Sequence, residues 1–245
     1  MNIKPQKLKS VTKSNTVKIR KVTNIKQENL ACMVKQLKET NTVNLAREEF
    51  EKKLEIAANI TTELGLRFVN GTNDGRTVSK EQELEVTGPI LDALKWTYSL
   101  SKNRAAGDFY IKTKFGSFPV NVKIISNKSK AYNNICGPIV QSSKLLYGCT
   151  ANSAIDLANK MVTEKFTNTP QNYGLLVVNK GTGEVKWSTL FAINDVYVNP
   201  SNGLQFSMET LDRVVRTQKE GQIFIKSKIK ELFRVHSLPY EILNA

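Results

Sequence analysis

Histidine and cysteine are scarce in this chain, and their scarcity removes whole classes of chemistry. There is one histidine, His236, and three cysteines, Cys32, Cys136 and Cys149, with no Cys-x-x-Cys pair among them. A Cys/His zinc site needs several such ligands at short spacing, so the usual kinds are excluded. One histidine leaves one base for a Ser-His or Cys-His mechanism, and no nucleophile motif matches it. His236 reads as a surface or packing residue. The cysteines read as reduced core residues of an intracellular protein, which predicts a cytoplasmic location. No Gly-x-x-x-x-Gly-Lys-Ser/Thr or Gly-x-Gly-x-x-Gly motif occurs, so nucleotide-driven chemistry has no support. No apolar run approaches the roughly 18 residues of a membrane span. The N-terminus is polar and basic with no apolar stretch behind it, which argues against a secretory signal.

Acid is also in short supply. Lys and Arg number 36 against 22 Asp and Glu, a net charge of +14 with a pI near 9.6. Such a surface captures polyanions at long range. No strongly amphipathic basic helix with large apolar residues stands out, so nucleic acid is favoured over a membrane. A lysine-rich composition inherited from a biased genome gives the same sign of charge. Residues 1–26 carry Lys4, Lys7, Lys9, Lys13, Lys18, Arg20, Lys21 and Lys26 and no acid. They read as an arm that orders on a phosphate backbone, or as a solubilising tail.

What is present centres on Gly107 to Ser126. Phe109 and Ile111 alternate with Asp108, Tyr110 and Lys112; Val120, Val122 and Ile124 alternate with Asn121 and Lys123. Period-two alternation predicts two strands, with Gly116 at the turn. Asp108, Asn121 and Lys123 are then expected on one surface with the aliphatic residues behind. Asp108 offers a hard oxygen ligand for Mg²⁺ and Asn121 a neutral one. Lys123 can orient an attacking water or stabilise charge on a phosphorus. A half-exposed hairpin also carries Asp, Asn and Lys for solubility alone.

These residues resemble the PD-(D/E)XK nuclease superfamily, where an acid on one strand is followed by acid-x-Lys on the next. Here the acid is Asp108 and the triplet is Asn121-Val122-Lys123. Asn121 departs from the usual acid, although some small type II restriction endonucleases carry an amide there. The sharp part of the likeness is three residues. Element order extends it over roughly Glu48 to Lys186. The resemblance implies a restriction-endonuclease-like α/β core, a central mixed sheet flanked by helices, with a basic N-terminal arm and an antiparallel C-terminal extension. It implies a site-specific, Mg²⁺-dependent endonuclease acting on double-stranded DNA and leaving 5′-phosphates, as a monomer or homodimer. Asp108 and Asn121 would hold the metal and Lys123 would serve the water. In such enzymes an opening helix often brings a Glu near the metal; Glu51 and Glu55 are the candidates, with Glu51 preferred.

The remaining chain supplies expectations for the fold. Residues 1–44 are an arm with a short helix over 27–40, with Leu30, Val34 and Leu37 on one face; residues 45–245 are one nuclease-like domain. Residues 45–64 predict a helix, with Phe50, Leu54, Ala57, Ala58 and Leu64 in register and Gly65 as its stop. A strand is expected over 66–71, a polar loop over TNDGRTVSKEQ, and a helix over 80–100 with Trp96 in the core. Lys102 and Arg104 are placed to meet phosphates, and Asn127, Lys128, Lys130 and Asn133 to meet phosphates or base edges. A helix from Ser153, a buried strand at 173–180, its hairpin partner, two short strands, and a strand followed by a basic helix over QIFIKSKIKELFRV complete the reading. Two other functions remain open: a basic nucleic-acid-binding protein without catalysis, and a related structure-specific nuclease such as a resolvase.

Overall fold

Residues 6–64 contain neither glycine nor proline, and nothing in them breaks a helix. The computed structural model, which describes residues 12–66, 75–95, 98–100, 107–125, 133–135, 143, 151–163 and 170–244, accordingly runs one helix, α1, over Thr12–Glu63. Two helices separated near residue 41 were expected; no residue there interrupts the hydrogen bonding. The helix ends at Gly65, which takes φ +58°.

The chain divides into two units, Met1–Asn41 and Thr42–Ala245. In the first, Leu30, Val34 and Leu37 are exposed, as is Met33 beside them. Cys32 is an exposed free thiol rather than a core residue, because a lone helix has no interior.

In the second unit, α2 spans Gly75–Ala93 and includes Pro89. Its start corrects the polar loop expected over 72–82: Gly75, expected in the turn, opens the helix. Its end corrects the helix expected to run to 100, since β1 is Tyr98–Leu100. Then follow β2 (Phe109–Thr113) and β3 (Gly116–Ile125), joined by a tight turn in which Gly116 has φ +141°. After β4 (Asn133–Asn134) and α3 (Ala154–Thr163) come β5 (Gly174–Asn179), β6 (Val185–Thr189), β7 (Tyr197–Asn199) and β8 (Gly203–Phe206). Helix α4 (Gln218–Phe233) and α5 (Ser237–Asn244) follow. QIFI, expected as a strand, lies within the first half of α4. Thr217 and Glu220 form a capping box that starts a helix there, and this overrides the local β-branched residues.

Five strands form a mixed sheet in the order β1-β2-β3-β5-β6. β1, β2 and β3 pair antiparallel, β3 and β5 pair parallel, and β5 and β6 antiparallel. β5 is buried on both faces, as an inner strand should be. Phe109, Ile111, Val120, Val122, Leu176 and Val178 pack one face against Phe50, Leu54 and Ala57 of α1 and Val86 and Ile90 of α2. Ile125, Leu175 and Val177 on the other face join Leu157 and Met161 of α3 and Ile225, Ile229 and Phe233 of α4. The second sheet, β4-β8-β7, is antiparallel and lines the same second core. The protein is thus an α/β fold with a mixed sheet between helices. The strand expected at 66–71 and the core position expected for Trp96 lie largely or wholly outside the described residues. No described helix is long and apolar enough to cross a membrane.

Candidate active site

Gly107 sets the geometry. A Cβ there would stand 2.7 Å from the Val120 carbonyl oxygen and 2.8 Å from its nitrogen. Only a residue without a side chain lets the chain press this closely on β3. The next residue, Asp108, donates its N–H to Val120 O at 2.8 Å. Its Oδ2 accepts from Val122 N at 2.6 Å. The carboxylate therefore stands in for a strand, satisfying a β3 N–H beyond the start of β2. This holds it against the Asn121-Val122-Lys123 triplet.

Asn121 is buried, and Lys123 is partly buried. Both share strand parity with Ile125 and lie opposite in parity to Val120 and Val122, which face α1 and α2. The Lys123 ammonium acts on Asp108 electrostatically. It also lies 3.5 Å from Glu83 Oε1 of α2. Burial pushes the Asp108 carboxyl above the ordinary aspartate value, against the opposing pull of Lys123 and the Val122 N–H. The fold thus holds a carboxylate where its charge is disfavoured, and a cation beside it would offset that cost.

The structure brings Asp108 and Lys123 together, places Asn121 two residues before Lys123 on β3, and adds Glu83, which sequence reasoning missed. Glu83 lies 40 residues before Lys123, and no local pattern marks it out from Glu85 or Glu81. Glu51 is placed elsewhere. It lines a cavity of about 380 Å³ together with Arg47, Asn172 and Arg213, and neither Asp108 nor Lys123 lines that cavity. Burial raises the Glu51 carboxyl above its usual range, opposed by Arg47 and Arg213 and reinforced by Glu48. Glu55 is exposed on α1. Lys102, Arg104, Asn127, Lys128 and Lys130 lie outside the described residues. Asn133 is on β4, paired with Phe206 of β8 in the second sheet.

Among the described residues, no three Asp, Glu, His or Cys side chains converge as a metal cluster. The donors near Lys123 are two carboxylates and one amide, all hard oxygens. That set suits Mg²⁺, which takes one or two protein carboxylates and fills its shell with water and substrate oxygens. In comparisons with known proteins, the chain matches no protein-family model and no curated protein sequence.

Proposed function

We propose that the protein is a site-specific, Mg²⁺-dependent endonuclease of double-stranded DNA, of the type II restriction kind, leaving 5′-phosphates. The observation that carries this reading is the bond from Val122 N–H to the Asp108 carboxylate. It ties the acid to the middle residue of the Asn-Val-Lys triplet. Sheet order supports it. The antiparallel run β1-β2-β3 followed by a helix and a parallel strand has the acid ahead of β2 and the triplet in β3, as the resemblance to PD-(D/E)XK nucleases implies. The net charge of +14 supplies attraction for a polyanionic substrate.

In this reading Asp108 and Asn121 hold the metal. When bound, Mg²⁺ supplies Lewis-acid stabilisation of a phosphate oxygen. Lys123 orients the attacking water and stabilises charge developing on the phosphorus. Glu83 positions the Lys123 ammonium through their ion pair.

Incubation of the protein with plasmid and Mg²⁺ tests the proposal. Discrete bands are expected. Lys123→Ala and Asp108→Ala should each slow cutting by about 10²-fold or more while gel-shift binding persists. Cutting at the parental rate by either variant rules out this site. A mobility shift with no cutting by the parent makes the protein a nucleic-acid binder without catalysis.

A further inference from the structure

Residues 43–51 of α1, the entry to β5, the end of β6 and the segment after β8 enclose the 380 Å³ cavity that contains Glu51. Its wall is chemically two-sided. The Glu51 carboxylate is partly buried and makes no ion pair or hydrogen bond with any described residue, yet Arg47 and Arg213 are close enough to act on it electrostatically. Their guanidinium groups are held by other contacts. Arg47 Nη1 donates to Arg216 O at 2.5 Å, and Arg213 stacks over Trp187 with its Cζ 3.8 Å from the ring centre. Asn172 is 5% exposed, and its side chain lines the cavity without a hydrogen bond to any described residue. Phe191 provides an apolar wall. Acceptor, amide and guanidinium thus face a common space without satisfying one another. A ligand that presents donors to Glu51 and negative charge to the arginines completes the set.

The rim carries a second observation. Arg213-Val214-Val215-Arg216 crosses the cavity edge, and Val215 is 96% exposed. An apolar side chain held out beside a cavity is suited to enter a base stack; Arg216 holds this segment in place by donating to the backbone carbonyls of Phe191, Ile193 and Asn194.

We propose that this cavity binds a nucleobase with an amino-bearing edge, displaced from a DNA duplex, with Val215 taking the vacated place in the stack. Glu51 and Asn172 take the edge of the base, and Arg47 and Arg213 its phosphate. Glu51 accepts well from the amino groups of cytosine, adenine or guanine, and poorly matches thymine, which has no such group. The volume suffices for one mononucleotide. The inference rests on the DNA-cleaving reading above for the source of the base; a free nucleotide offers the same chemistry.

Two measurements on the full-length protein test it. The first is fluorescence anisotropy with three matched duplexes: fully paired, with one bulged cytosine, and with an abasic bulge. The bulged cytosine should bind at least about tenfold tighter than the other two, because its unpairing is already done and a charged hydrogen bond is gained. Glu51→Ala should lose the preference over the abasic bulge, and Glu51→Gln, which keeps an acceptor oxygen but not the charge, should reduce it; both should keep the affinity for paired DNA. Val215→Ser should weaken binding to all three. The second is calorimetric titration with dCMP, dGMP, dAMP and dTMP. Binding that discriminates against dTMP and depends on Glu51, with no preference among the duplexes, assigns the cavity to a free nucleotide and overturns the displaced base. Equal affinity for the three duplexes with no nucleotide binding overturns the whole inference and leaves the nuclease proposal standing. Failure of plasmid cleavage alongside a Glu51-dependent bulge preference overturns the nuclease proposal alone.

Discussion

Gly107 lacks a side chain where one cannot fit, and that gap sets Asp108 against β3. A Cβ would meet backbone atoms of Val120 and the Pro119 Cβ at 2.7–2.9 Å, and backbone cannot swing aside. Gly107→Ala should therefore cost about 1–3 kcal/mol by overpacking, read by urea denaturation. Plasmid cleavage should fall with it as the carboxylate is pushed off the triplet. Under the proposed function, Asp108 is a case where catalysis and stability pull apart. Burial raises its pKa above that of an unfolded-chain aspartate, about 3.9, despite Lys123 and the Val122 N–H. The folded protein holds this proton more tightly than the unfolded chain. The linked stability is complete below the unfolded pKa and is lost as pH rises through the folded one. At neutral pH the charge works against the fold. Asp108→Asn keeps an acceptor for Val122 N–H and removes the charge. Its melting temperature should exceed the parent's at pH 7, and the gap should close near about pH 3. Added Mg²⁺ should raise the parent's melting temperature through binding to the native state and leave Asp108→Asn unmoved. Thermal scans at the two pH values, with and without Mg²⁺, check all three.

At the scale of elements, α4 shows how a short end signal outweighs a longer pattern. Gln222 to Ile225 suggest a strand by composition, yet Thr217 accepts from Glu220 N and Glu220 accepts from Thr217 N. These two bonds satisfy donors that an open helix start leaves bare. Ile225, Ile229 and Phe233 then fall on one buried face. Thr217→Ala should cost about 1 kcal/mol, seen as a lower urea midpoint at unchanged slope. The β2-β3 hairpin was legible for the opposite reason. Its alternation, its turn glycine and its polar residues all agree, so Phe109 pairs with Val120 and Thr113 with Gly116 as period two requires. The start of α2 was illegible because Asn-Asp-Gly is a turn signal in most settings, and here its glycine begins a helix whose later residues Val86 and Ile90 are buried against the sheet.

For the whole molecule, charge is the property most exposed to test. With +14 net, binding to a 30-bp duplex should weaken steeply with salt, by about 10³-fold between about 50 and 200 mM if six or more phosphates are contacted. Removing residues 1–26, which hold eight basic side chains and no acid, should flatten the slope of log affinity against log salt. Anisotropy titrations across the salt series give both numbers. A slope unchanged by the deletion would mean that the arm does not touch the phosphate backbone.

Sequence by itself determined the strand period, the residues brought beside β3, the basic charge and most of the short hairpins. These are local: each follows from neighbours within a few positions, where side-chain parity and turn chemistry act. Only the tertiary structure decided that β3 lies parallel to β5, that Glu83 reaches Lys123, and that Glu51 shares a cavity with Arg213 instead of joining Asp108. Those relations join residues 40 to 162 positions apart, from Glu83 and Lys123 to Glu51 and Arg213, through the packing of α1 and α2 on the sheet. Burial of apolar faces chooses such a packing over the chain as a whole, and no short window of residues contains it.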